Sequence, residues 1–278
     1  MKTSQKSRSR RRSSNCAMRL VVAAAVGLVV ASCTNRYPQK GDVRPHAGVA
    51  AAHRLPIHGI DVSKWQGNID WSAVKSAGTK FAFIKATEGG DHLDDKFYQN
   101  WRNAARAGVP RAAYHFVFWC RSAEEQAEWF KRNVPADPDA LPPVLDVEWN
   151  GESRNCPRKV PREQALQMIH VMLNAMEEHT GKRPIIYTDI TFHKEILEQE
   201  FSDYPYWLRS TAAEPHYRYP NRRWTMWQFT TTGRVPGIQG DVDRNAFYGT
   251  EGEWKTFLAT DCEPRDIKDL QKTGRCMK

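Results

Sequence analysis

The sequence contains no run of roughly 18 uninterrupted apolar residues, so an ordinary membrane-spanning helix is excluded. It has no Cys-x-x-Cys pair and no Cys–His spacing of the zinc-ligand kind, so neither a structural nor a catalytic zinc is expected. Acidic residues are missing from residues 1–32, which carry seven basic ones: Lys2, Lys6, Arg8, Arg10, Arg11, Arg12 and Arg19. The rest of the chain holds 34 basic against 32 acidic residues, so the net charge of +9 belongs mostly to the N-terminal segment. No nucleic-acid partner is expected from a nearly neutral domain without a recognition motif. Disorder is excluded as well, because 40% apolar and 11% aromatic residues supply a large core.

What is present begins with an address. Residues 1–19 are basic and Ser-rich, and Leu20 to Ala31 form an apolar run too short to span a bilayer and suited to the h-region of an export signal. Val30-Ala31-Ser32-Cys33 resembles a bacterial lipobox, in which the cysteine is lipidated and becomes the mature N-terminus. The expectation is an exported lipoprotein anchored to a membrane through Cys33 and facing the periplasm or exterior, with cleavage and secretion as the alternative. Residues 1–33 are therefore assigned to the signal. Residues 34–57, without apolar periodicity, are assigned to a flexible tether, residues 58–260 to the folded domain and 261–278 to a tail. Export favours disulfides. Cys120 and Cys156 each lie just beyond a strand end on one side of the fold and are expected to pair. Cys262 and Cys276 bracket the tail and are expected to pin it.

From His58 onward, short β-rich runs alternate with amphipathic ones. Strands are expected at 58–62, 81–86, 111–118, 143–147, 184–188, 206–209, 225–229 and near Val242. Ser122 and Glu125 form a capping-box pattern opening a helix toward Asn133, and Leu166, Ile169, Leu173 and Met176 mark an amphipathic helix over 162–180. Gly78, Gly108 and Gly181 each end a helical stretch just before a strand. Helix–Gly–strand repeats argue for parallel strands with crossover helices, and eight strands in about 200 residues point to an α/β barrel. Little helix separates the last three strands.

Barrel enzymes carry their chemistry at the carboxyl ends of strands. Asp61, Asp146 and Glu148 fall at such ends, and Asp243 begins the last strand segment. Asp146 and Glu148, two apart on a strand, face the same way, with Leu145 and Val147 toward the helices. Two buried carboxyls resist ionising together, so one keeps its proton; ionised Asp146 is expected to hold the proton on Glu148. A protonated acid beside a carboxylate is the arrangement that glycosidic cleavage requires. Trp65, Tyr114, Trp119, Trp149, Tyr187, Trp207 and Trp227 all fall at or past strand ends, where flat rings suit sugar faces. The D-x-E pair alone is equally compatible with structural hydrogen bonding, and any single ring with a core position.

The segments GIDVSKWQGNIDW, FAFIKATEG, AYHF, PVLDVE, IIYT and WQFTTTGRVPGIQGDVDRN, in that order, resemble glycoside hydrolase family 25, the Chalaropsis-type lysozymes. The resemblance runs from about His58 to Leu258. It implies an incomplete TIM-like (β/α) barrel of five β/α units plus three further strands. The implied activity is an N-acetylmuramidase that cleaves the β-1,4 bond between N-acetylmuramic acid and N-acetylglucosamine in peptidoglycan glycan strands, acting as a monomer without a cofactor. By motif, Glu148 matches the general acid, Asp146 its D-x-E partner, Asp61 the first-strand acid and Asp243 the acid of the VDxN segment. Tyr114, Tyr187 and Trp227 match positions lining the sugar groove. The alternative is a non-catalytic, peptidoglycan-binding relative.

Overall fold

The computed structural model describes residues 47–151, 153–266 and 276. The expected signal with Cys33, residues 34–46 of the expected tether and most of the tail beyond Asp266 lie outside the described residues. The elements are α1 (Ala47–Ala52), β1 (His58–Val62), α2 (Trp71–Ser76), β2 (Phe81–Glu88), β3 (His92–Leu93), α3 (Phe97–Arg106), β4 (Arg111–Phe116), α4 (Ala123–Asn133), β5 (Val144–Val147), α5 (Arg162–Thr180), β6 (Ile185–Thr188), α6 (Ile190–Phe192), β7 (Tyr206–Arg209), α7 (Pro215–Arg218), β8 (Met226–Gly233), β9 (Val242–Phe247) and α8 (Glu251–Thr260).

The sheet runs β1-β9-β8-β7-β6-β5-β4-β2 and closes through a β1–β2 pairing, with β3 as a short ninth strand on β2. Neighbours from β1 through β2 and β4 to β8 are parallel. β9 is antiparallel to both of its neighbours, β8 and β1. The ring of eight strands is therefore complete while the helical layer is not. Helices α2 to α6 follow β1, β2, β4, β5 and β6, and only the four-residue α7 separates β7 from β8. This is the incomplete TIM-like barrel that the family resemblance implies.

Strand periodicity sorts side chains between two layers. On β2, Phe81 and Phe83 point into the barrel and Ala82, Ile84 and Ala86 face the helices. On β5, Val144 is inside while Leu145 and Val147 pack outward, as the sequence pattern predicts. Inside the barrel Phe83 and Tyr187 each meet Trp207 at a tilt, with ring centroids 4.4 Å apart in both pairs. Below them Phe81 and Phe247 meet Trp254 and Phe257 of α8, which closes the end of the barrel opposite the strand carboxyl ends. Gly59 is required there, because a Cβ on it would lie 2.5 Å from the Phe81 ring.

Three local expectations are modified. Helix α1 occupies part of the expected tether: Ala51 and Ala52 are buried against Trp227, Phe229 and Ala246 on the outside of β8 and β9. An alanine-rich turn with no long apolar side chain gives too weak a periodic signal to announce this contact. On α4 only half of the capping box forms. Ser122 Oγ accepts from the Glu125 amide at 3.2 Å, whereas the Glu125 carboxylate turns to Arg121. On α5 the buried stripe is Ala165, Met168, Ile169, Met172, Leu173 and Met176, so Leu166 sits at its edge.

Candidate active site

At the carboxyl end of the parallel strands the inward positions change from aromatic to charged. A cavity of about 350 Å³ opens there, lined by Asp61, Lys85, Asp146, Glu148, Arg209 and Asp243, with Trp65, Tyr114, Tyr187, Trp207 and Gln228 among its walls. The four acids named from sequence thus converge on one space. Three come from the ends of β1 and β5. Asp243 arrives from the amino end of β9, whose antiparallel course sets it directly opposite Asp61 in register. A larger groove of about 480 Å³ runs beside the Cys120–Cys156 bridge, but it gathers no comparable set of acids.

Asp61 is held by a chain of hydrogen bonds. Tyr187 Oη donates to Gln228 Oε1 at 2.9 Å, and Gln228 Nε2 donates to Asp61 Oδ2 and Asp243 Oδ2, both at 3.1 Å. Trp207 Nε1 donates to Asn245 Oδ1 at 2.8 Å, and Asn245 Nδ2 donates to Asp61 Oδ2 at 2.8 Å. Two buried aromatics therefore orient two amides, and both amides aim donors at one carboxylate.

All four acids are shifted toward the protonated form, and burial is the leading cause in each. Glu148 is raised to about 7, first by burial; the Arg209 charge opposes this, and Asp189 and Asp61 add to it. Asp146 is raised well above the usual carboxylate range, by burial and then by the Glu148 charge. The expectation that ionised Asp146 holds the proton on Glu148 is therefore corrected: burial leads the rise at Glu148, and Asp146, buried as well, is itself raised by the Glu148 charge. Asp243 is raised by burial and by Asp61. Asp61 is also raised by burial, but the Asn245 and Gln228 donors favour its ionised form. One oxygen of Asp146, Oδ1, is buried with no hydrogen-bond partner among the described residues.

The aromatics divide. Trp65, carried on a turn after β1, is 81% exposed beside the cavity. Tyr114, Tyr187 and Trp207 line its walls. Trp119 is buried, stacks on Phe192 and donates from Nε1 to the Glu148 carbonyl at 2.7 Å, supporting the strand end from behind. Trp149 donates to Glu195 Oε2 at 2.7 Å. Trp227 corrects the expectation that it lines the groove: it is 2% exposed, donates to the Ser210 carbonyl and packs outward against α1. Gln228, its neighbour on β8, takes the inward position, since adjacent strand residues face opposite sides.

Sequence reasoning missed Lys85, Arg209, Gln228 and Asn245. Their signal was the same period of two: Phe81, Phe83 and Lys85 share a face, as do Trp207 and Arg209, and Asp243 and Asn245. Both expected disulfides are formed. Cys120–Cys156, with Cα atoms 5.7 Å apart, ties the loop after β4 to the insert after β5, and Cys262–Cys276 spans 5.6 Å. No group of His, Cys, Asp and Glu suited to a metal occurs among the described residues.

The comparisons agree with this architecture. The profile of Glycosyl hydrolases family 25 matches residues 60–238. Lysozyme M1 from Streptomyces globisporus is 38% identical over 212 residues, covering 73% of this chain and 71% of that protein. The protein YegX from Escherichia coli K12 is 38% identical over 219 residues, covering 74% and 76%. The solved family 25 glycosyl hydrolase from Bacillus anthracis superposes with a TM-score of 0.67 at 37% identity, covering 73% of this chain and 94% of that one. With the profile spanning the barrel from β1 to the turn before β9, and the acids gathered at its open end, the chain belongs to glycosyl hydrolase family 25.

Proposed function

We propose that the protein is a lysozyme-type muramidase that hydrolyses the β-1,4 bond between N-acetylmuramic acid and N-acetylglucosamine in peptidoglycan. The observation that carries this is Glu148: a carboxyl raised to about 7 at the mouth of a cavity that holds three further acids. Such a group still holds its proton near neutrality and can pass it to the glycosidic oxygen. As that oxygen takes the proton and the bonding electron pair, positive charge grows on the sugar. Asp61, which accepts from two amide donors, is the acid best placed to carry the balancing negative charge. The unpartnered Asp146 Oδ1 supplies an acceptor for the substrate acetamido N–H. Trp65 offers an exposed ring against a sugar face, with Tyr114 and Tyr187 forming the cavity wall. Turnover of purified peptidoglycan by residues 34–278, with loss of turnover in Glu148→Gln, tests the reading. A folded wild-type domain that binds the wall without cleaving it would favour a sugar-binding module.

We further propose export and anchoring through a diacylglycerol on Cys33. The VASC pattern behind an apolar h-region supports the anchor, and two disulfides in the folded domain support an oxidising compartment. Cys33→Ala should release the protein from membranes; unchanged retention of that variant would refute the anchor.

A further inference from the structure

Four acids crowd one cavity, and proton donation adds a negative charge to them. When Glu148 gives its proton to the leaving oxygen, the bonding electron pair departs with that oxygen and a carboxylate remains on Glu148. The site must receive that carboxylate in largely buried surroundings. Two cations line the cavity. Lys85 is already matched, its Nζ lying 2.5 Å from Glu88 Oε2. Arg209 faces the acid itself: its guanidinium stands 3.9 Å from Glu148 Oε2, with both side chains mostly shielded from solvent.

We propose that Arg209 is a positioning residue for the proton donor, a fixed counter-charge that receives the Glu148 carboxylate as the proton leaves. The proposal rests on the reading of Glu148 as the acid. Strand geometry fixes the arrangement. Arg209 follows Trp207 on the inward face of β7 and pairs in register with Gln228 of β8, the amide that holds Asp61 and Asp243. A guanidinium keeps its charge throughout the working pH range, so the counter-charge does not titrate away. The other groups facing Glu148 are Asp146 on its own strand, Asp61 and Asp243 from β1 and β9, Asp189 at the start of α6, Lys85 on β2 and the phenols Tyr114 and Tyr187. Against these acids Arg209 is the leading influence favouring ionised Glu148, and it acts in the same direction on Asp61, Asp146 and Asp243. Its distance from Glu148 is at the limit of an ion pair, which leaves the proton on the acid before reaction and lets it go during reaction.

The test combines a pH–rate profile on one wall preparation with a carbon-13 NMR titration of the Glu148 carboxyl, in wild type, Arg209→Gln and Arg209→Lys. Removing the charge should raise the basic limb of kcat/KM and the Glu148 midpoint together by about one pH unit or more, the range for losing an opposite charge at this separation. Arg209→Lys should keep both within about half a unit of wild type. A folded Arg209→Gln with limb and midpoint unmoved overturns the proposal. Should that variant not fold, Arg209→Lys decides: a displacement beyond half a unit overturns the assignment. The NMR midpoint reads the pairing without reference to turnover. Glu148→Gln with normal activity would instead sink the reading of the acid, so the two failures are distinguishable.

Discussion

At the scale of single residues the site works through burial opposed by a few well-aimed dipoles and charges. Glu148 shows the consequence for stability. Its folded-state value is raised from 4.5 to about 7, so its contribution is fully present below pH 4.5 and is lost as the pH rises through about 7. Above that range the buried carboxylate costs on the order of 2–3 kcal/mol. Glu148→Gln should therefore lose about 10²–10⁴-fold in kcat and yet unfold at a higher temperature than wild type at pH 8. Thermal melts beside turnover assays check both; a variant that is inactive and also less stable at pH 8 would contradict the assigned burial. The aromatics provide a second contrast. Trp65→Ala should lower kcat/KM roughly three- to tenfold with an unchanged melt, because its ring is exposed and touches the fold little. Trp227→Ala should cost about 3–5 kcal/mol of stability, since its ring is buried under α1. Equal effects of the two on kcat/KM in folded protein would argue against the outward placement of Trp227.

At the scale of elements, strand positions were legible because apolar runs bounded by glycine have few other solutions. The two acids of β5 were legible to the side chain, since Leu145 and Val147 could be assigned to the helical side. Trp227 was not. In β8 both faces of the strand are buried, Met226 inside and Phe229 outside, so apolar character cannot tell which way an aromatic points. The direction of β9 was equally hidden: a short strand after a glycine-rich loop has no period that distinguishes parallel from antiparallel, yet that direction brings Asp243 to the rim. Disulfides were legible from compartment and strand-end spacing. The Cys120–Cys156 bridge closes a separation of 36 residues between two rim segments. Replacing both cysteines by serine should lower stability by about 2–4 kcal/mol in denaturant unfolding. An unchanged unfolding midpoint would show that the surrounding loops hold themselves.

At the scale of the whole molecule, opposing groups shape the pH response. Glu148 and Glu263, one at each end of the barrel, are both raised to about 7 by burial, so each loses its contribution as the pH rises. His115 and His193 are both lowered to about 4 by burial, so each gives up stability as the pH falls from 6.5 toward 4. Asp61, Asp146 and Asp243, also raised by burial, lose their contributions from the ordinary carboxylate range upward, so the raised acids outnumber the lowered histidines. Wild type should show a melting temperature that falls between about pH 4.5 and 6.5. Glu148→Gln, with one of those losses removed, should show a shallower fall; an unchanged slope in the variant would contradict the assigned burial.

The four acids bear on one particular bond, the β-1,4 link after N-acetylmuramic acid. The barrel, its incomplete helical layer and the convergence of acids at its open end all serve its cleavage. Digestion of peptidoglycan by residues 34–278, with analysis of the new reducing ends, identifies the bond that is cut. N-acetylmuramic acid is expected at those ends, with none released by Glu148→Gln. N-acetylglucosamine at the new ends would contradict this assignment.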